Sequence, residues 1–519
     1  MAHEQEHQGH RGQQGQNVPE AEPSPERNED GMGRRGFLRD VGLTGAGVLG
    51  ASVAGGGSAA AAPAEPAPTG HARGAGGERR LGPGDFGGER QLLLPEVVLL
   101  PDGPRRGQGV LVEKGRFREV GDADRLTARH PNLRPVRMDG KLLMPGFVDA
   151  HHHLTQSFGK AQAFGQPSEI FKSVWEPLEH ALDEKSAYLS AKLASLEALR
   201  GGFTTVADAG TRAPVDVEVV ARGAEEAGIR CVLARVVSDG KGGEEHLGRW
   251  DGNPLIHPSL AIPVPEDATA AVHRKTAKLC AEADAVLQVH VNEHLASVER
   301  SLKSTGRRPL EYLHHIGALG PHTLGAHGTL LTPAEMRMLA DSGAALSYNP
   351  VASSWKGNAV THATMLDAMG VRFGTGTDGT RGDGFRLVDA AETAQRLAYG
   401  IASGDSVCGA GRMWLRHATS LSADALGLGK VTGEIAEGRA ADYLVVDLRV
   451  PELTPSTDLE WELVRFGNRD LITAVVVAGR LRLWEGNPRD WDASALVDEV
   501  ASLAPEVVRR ADIDRVEPR

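Results

Sequence analysis

Cysteine, aromatics and long apolar runs are all scarce in this 519-residue chain. Three cysteines (Cys231, Cys280, Cys408), an odd number and far apart, exclude a disulfide framework and a CxxC metal knuckle. They read as unpaired core thiols. Aromatics make up 4% of the residues, and no apolar stretch is long and uniform enough for a permanent membrane anchor. Excess positive charge is missing too: 57 basic residues face 69 acidic ones, a net charge of −12, which argues against nucleic acid as a partner. What remains, 40% hydrophobic and 24% charged residues, is the balance of a water-soluble globular protein.

The first 62 residues read as an address. Up to about Asp30 the chain is rich in Gln, Glu, His and Pro, too polar to offset the entropy of ordering it. Gly33-Arg34-Arg35-Gly36-Phe37-Leu38-Arg39 then precedes a short apolar run from Val41 to Ala54 and small residues from Ser58 to Ala62. Paired arginines, a Phe-Leu step and an Ala-rich end form the pattern of a twin-arginine export signal, so the export machinery is an expected partner and the expected location is outside the cytoplasm. Residues 63–90, Pro-, Gly- and Ala-rich, read as a linker.

Beyond the linker, short β-rich runs (Leu92–Leu100, Gly109–Glu113, Phe117–Val120) recur near the other end as Tyr443–Asp447 and Leu471–Trp484. The expectation is a small β-sandwich built from both terminal segments, 91–145 and 434–490. Between them strand-like runs alternate with helical patterns such as Ser186–Arg200, Pro265–Ala283 and Pro333–Ser342. That alternation predicts an α/β fold, a (β/α)₈ barrel of the TIM type over 146–433. A C-terminal helix and tail fill 491–519.

Four apolar runs end in side chains able to hold a metal or move a proton. Met144–His153 ends in His151-His152-His153, where strand alternation puts His151 and His153 on one face and His152 on the other. Val286–Glu293 carries His290 and, three residues on, Glu293, the residue type that usually takes a proton from activated water. Thr323–His327 ends in His327, a ligand or a holder of the nucleophile. Val371–Gly379 ends in Asp378. That last run spells GxGxxG, as does Gly45–Gly50; neither sits where a strand, a helix start and an acidic ribose partner would make a nucleotide cradle.

Together, PGFVDAHHH, HVNE, GAH, YNP and GTGTDG resemble the amidohydrolase superfamily, in the branch of cytosine deaminase, atrazine and triazine hydrolases, and guanine and adenosylhomocysteine deaminases. The resemblance runs from about residue 91 to 490. It implies one divalent metal, zinc ahead of iron, held by His151, His153, His290 and Asp378. Glu293, His327 and Asp378 would be the catalytic residues, Glu293 carrying the proton and His327 orienting the nucleophile. No lysine stands at a fourth strand end, so a carbamylated two-metal centre is not expected. The implied activity is hydrolytic deamination of an amine-bearing heterocycle, with amide or cyclic-amide hydrolysis as the alternative and a non-catalytic binding protein a distant third. A small-molecule substrate and a homo-oligomer are the other expected partners. Tyr348-Asn349-Pro350, Ser353-Ser354-Trp355 and Thr380-Arg381-Gly382-Asp383 depart from the branch pattern in the loops that would shape the pocket.

Overall fold

The computed structural model of the protein describes residues 81–516 except 167, 168 and 380. The expected tail, the twin-arginine segment and most of the linker therefore lie outside the described residues. The end of that linker does not behave as one. Pro83–Phe86 forms a 3-10 turn whose Phe86 is buried beside Trp484, at a ring separation of 5.9 Å, and Gln91 donates to the Phe86 carbonyl at 3.1 Å. One large apolar side chain was enough to dock a Gly-rich stretch.

Residues from both termini build one nine-stranded mixed sheet. Its central strand, Arg90–Leu100, pairs with Gln108–Glu113 on one side and in parallel with Val136–Pro145 on the other. Val136–Pro145 in turn pairs with Tyr443–Asp447, which joins the C-terminal segment to the N-terminal one. Phe117 and Tyr443 lie on strands well apart in the sheet order, yet their rings are 6.0 Å apart. The sheet must therefore curl over its own core, which includes Leu93, Val110, Phe117, Leu143 and Val445.

The second sheet is eight parallel strands in chain order: Phe147–His152, Phe203–Asp208, Arg230–Val236, Ile256–Ala261, Leu287–Val291, Thr323–His327, Ala345–Tyr348 and Arg372–Thr375. Helices cover its outside. Asp183 caps Glu184–Arg200 by accepting from the Ser186 N–H at 2.8 Å, and Thr332 caps Pro333–Ser342 in the same way. The helix expected from Pro265 begins only at Ala270, because Thr269 supplies the cap and Ala268 is extended. Ala493–Ala511 packs on Glu184–Arg200 and Glu176–His180. Among the described residues no helix is long and apolar enough to cross a membrane.

The last and first strands meet through specific groups instead of a ladder. The N–H groups of Thr377 and Asp378 donate to the His151 carbonyl at 3.1 and 2.9 Å, and the Asp149 carboxylate accepts the Thr377 N–H at 2.9 Å as well as its hydroxyl. Lower down, the Val148 N–H donates to the Ala418 carbonyl and the Thr375 N–H to the Ser422 hydroxyl. These contacts close the (β/α)₈ barrel.

A buried ion pair ties barrel to sheet. Arg230, at the start of the third barrel strand, places Nε 2.9 Å and Nη2 3.2 Å from the two oxygens of Asp442, just before Tyr443–Asp447. The carboxylate also accepts from the Thr432 hydroxyl at 2.7 Å and the Ala478 N–H at 2.6 Å. Burial alone would raise the Asp442 pKa, but Arg230 and these donors hold it below the usual carboxylate value. Asp442→Ala would strand the guanidinium, so it should lower unfolding free energy by about 3–5 kcal/mol in chemical denaturation. Because the native pKa is depressed, that contribution is full above the unfolded value near 3.9 and fades as pH falls towards the native one, so wild type and variant should converge in acid. A difference under about 1 kcal/mol at pH 7 would show that the pair does not carry the junction.

Candidate metal centre and active site

Every side chain singled out in the sequence stands at the carboxyl end of a barrel strand, the face where catalytic groups of such barrels gather. His151 and His153 come from the first strand and the residue after it, His290 from the fifth, His327 from the sixth and Asp378 from the loop beyond the eighth. Ligand atoms of His151, His153, His290 and Asp378 all lie within 4.8 Å of one another. A second group, Glu293, His327 and Asp378, converges equally closely and shares the aspartate. His152 points away, as alternation requires, and its Nδ1 meets the Thr377 hydroxyl at 2.7 Å.

The backbone holds the site residues in uncommon conformations. Asn292, His327 and Asp378 all have positive φ, at 51°, 74° and 54°, values that cost a non-glycine residue energy and persist only where the surroundings over-determine them. Asn292 shows how. Its amide donates to Glu335 at 2.7 Å, its Oδ1 accepts the Leu310 N–H at 3.2 Å, and the Thr329 hydroxyl bridges the carbonyls of Asn292 and Glu293. The turn that presents Glu293 is thus tied down on three sides. In the Gly374–Gly379 run, a Cβ at Gly376 would lie 2.4 Å from Asn349 Oδ1 and 2.9 Å from the His151 nitrogen. The glycine permits close approach between strands, and no nucleotide is needed to explain it.

Tautomers follow from the hydrogen bonds. His290 Nδ1 donates to the Pro263 carbonyl at 2.8 Å, which leaves the Nε2 lone pair directed at the other ligands. Asn349 donates to His327 Nδ1 at 3.1 Å, its orientation set by the Ser347 hydroxyl on its oxygen at 2.7 Å. His327 therefore carries its proton on Nε2, 3.5 Å from Glu293 and 3.9 Å from Asp378, so it is a donor rather than a fifth ligand. His151 Nε2 is buried, 3.4 Å from Asp378 Oδ1, with no hydrogen-bond partner. An orphaned buried nitrogen among two more imidazoles and a carboxylate fits a divalent cation and little else.

Electrostatics keep the donors ready. Burial lowers the His151 pKa, drives His290 well down and takes His327 to about 3, so the three rings are neutral at pH 7. For Asp378 and Glu293 burial works the other way, but Lys356 and His327 beside them hold both carboxyls well below the usual range. Lys356 was not legible as a site residue. It ends the short helix Pro350–Lys356 after the seventh strand, and its buried ammonium sits 2.8 Å from Glu293 Oε1 and 2.6 Å from Asp378 Oδ2. Both carboxylates raise its pKa against the effect of burial. The sequence signal was a cation about two helical turns past a strand end. Asp149, also missed, left no signal beyond its place two residues before His151.

Asp149 fixes Thr377 and with it the backbone that carries Asp378. Asp149→Ala should weaken metal binding about 10- to 100-fold in competition with a chelator while the barrel stays folded by circular dichroism. Unchanged affinity would show that Asp378 needs no such support.

The amidohydrolase family profile matches residues 142–482. A 5-methylthioadenosine/S-adenosylhomocysteine deaminase of Syntrophobacter fumaroxidans is 29% identical over 430 residues, covering 80% of this chain and 97% of that protein. A 5'-deoxyadenosine deaminase of Methanothermobacter thermautotrophicus is 28% identical, covering 81% and 99%. Among solved structures, an adenosine deaminase of Xanthomonas campestris with bound zinc superposes with a TM-score of 0.73 at 25% identity, covering 81% of this chain and 98% of that one. With the family pattern spanning both the barrel and its junctions to the curled sheet, the chain belongs to the amidohydrolase family.

Proposed function

We propose that this protein is a metal-dependent deaminase that replaces the amino group of an adenine-like heterocycle with oxygen from water and releases ammonia. One observation carries the reading: the Glu293 carboxylate lies beside the His151–His153–His290–Asp378 group and opens to the same cavity. The names of the deaminase relatives point to the same chemistry.

Three imidazole nitrogens and one carboxylate oxygen suit zinc or iron, and zinc in the Xanthomonas relative favours zinc here. A divalent ion held by these four side chains would supply Lewis-acid polarisation and make water a better nucleophile at neutral pH. The protein's own groups do the rest. Glu293, kept ionised, takes a proton from the attacking water and delivers it to the ring nitrogen next to the amino-bearing carbon, which makes that carbon electrophilic. His327 donates from Nε2 and holds the nucleophile in line, while Asn349 prevents its ring from turning. Oxygen adds to the carbon; a second proton reaches the amino group through Asp378 or Glu293; the carbon–nitrogen bond breaks and ammonia leaves.

Glu293→Gln should keep about one metal per chain by elemental analysis and lose 10²- to 10⁴-fold in ammonia release from aminopurines. Full turnover in that variant would end the assignment of Glu293. A new carboxylate in place of ammonia would move the chain to cyclic-amide hydrolysis on the same centre.

Export by the twin-arginine route belongs to the same proposal and rests on Arg34-Arg35 followed by the apolar run from Val41 to Ala54. Replacing both arginines with lysine should keep the protein inside the cell in a fractionation assay. Equal export of the variant would refute the route.

A further inference from the structure

We infer that His294 is a positioning residue for Glu293: its ring N–H holds one carboxylate oxygen and so fixes the plane in which the carboxylate meets water. The inference rests on the deaminase reading of the site and adds a residue to it.

The residue type is the first sign. His294 stands immediately before the helix Leu295–Thr305, with extended backbone at φ −117° and ψ 149°. That position usually takes Ser, Thr, Asp or Asn, whose side-chain oxygen accepts a free N–H of the first helical turn. The His294 side chain caps nothing. Its carbonyl still binds the helix, accepting the Val298 N–H at 3.1 Å and the Ser297 hydroxyl at 2.9 Å, which anchors the root of the side chain. The ring, 4% exposed, brings Nε2 to 3.1 Å from Glu293 Oε2. Phe171 lies against it, with 6.5 Å between ring centroids and 24° between planes.

The second sign is the other ring nitrogen. Nδ1 is buried and has no partner among the described residues. A proton there would be a buried donor with nothing to accept it, so the proton sits on Nε2 and faces the carboxylate. Glu293 needs that contact. Lys356 holds Oε1 at 2.8 Å, but an ammonium is a point charge, and the last bond of a glutamate side chain turns through broad wells. His327 is 3.5 Å from Oε2, beyond ordinary hydrogen-bond length, and its N–H is the one that holds the nucleophile. With Lys356 on one oxygen and His294 on the other, the carboxylate plane is set. An uncapped helix start and an unsatisfied buried nitrogen are both penalties, and both fall on the one residue that touches the base.

Two substitutions separate the ring nitrogens, because a Gln amide reaches the place of Nε2 and an Asn amide the place of Nδ1. In the metal-loaded full chain, His294→Asn should lower kcat for ammonia release from adenosine about 10- to 100-fold. KM should stay within about threefold, as for a contact made in the transition state. His294→Gln should recover most of that loss, and both variants should retain the wild-type metal content. Equal losses in the two variants, no loss in either, or a loss confined to KM overturns the inference. Long-range nitrogen–proton NMR of histidine-labelled protein reads the same ring without substrate, the His294 signals being those that His294→Gln removes. They should show the Nε2–H tautomer and shift in Glu293→Gln. An Nδ1–H tautomer, or signals indifferent to Glu293→Gln, overturns the inference whatever the turnover. Failure of the deaminase reading alone looks different: the Nε2–H tautomer responds to Glu293→Gln in a chain that releases no ammonia from adenosine.

Discussion

The His151 carbonyl, accepting the N–H groups of Thr377 and Asp378, is the contact on which the site depends. It joins the first strand of the barrel to the loop beyond the last, so two metal-facing side chains more than two hundred residues apart in the chain are one hydrogen bond apart in space. Asp149 doubles the junction by accepting from Thr377. Closing a barrel and assembling a ligand set are usually separate tasks. Here the same few atoms do both, and the positive φ of Asp378 is the local cost of turning its carboxylate inward after the junction.

The fold's periodicity made most of this legible. Alternation within PGFVDAHHH set His151 and His153 on one face and His152 on the other, and the apolar runs ending in His290 and His327 gave both the strand and its functional end. The two β-rich termini foretold their shared sheet, because strands at either end of a barrel need partners. How that sheet curls over its core was not readable, since curling depends on which side chains meet across strands that are not neighbours, such as Phe117 and Tyr443. The docking of Phe86 was lost for a related reason: the Gly and Pro around it describe a mobile chain, and a single burial event outweighed them.

Side chains that act through space rather than along a strand were the other blind spot. Lys356 belongs to a helix, where strand alternation says nothing about its direction, and only the path of Asn349-Pro350 brings it back over the barrel mouth. Asn349 itself stood out in the sequence only as part of Tyr348-Asn349-Pro350, one of the motifs that carry the resemblance. In the structure its work is to fix the His327 tautomer, a task that requires an amide next to the ring and leaves no trace in spacing.

The ammonium of Lys356 also explains how two carboxylates tolerate one buried pocket. Asp378 divides its oxygens: Oδ1 faces His151 and His153, both at 3.4 Å, and Oδ2 faces Lys356 at 2.6 Å. Glu293 divides them too, Oε1 towards Lys356 and Oε2 towards His294 and His327. Two like charges this close would ordinarily force one to keep a proton. A single buried cation between them removes that requirement while leaving Asp378 Oδ1 to His151 and His153 and Glu293 Oε2 to His294 and His327. Had Lys356 paired with Asp378 Oδ1 instead, it would compete for the ligand position. Placed as it is, it holds both carboxyls ionised and leaves Asp378 Oδ1 and Glu293 Oε2 turned to the imidazoles, so one side chain readies both halves of the candidate centre.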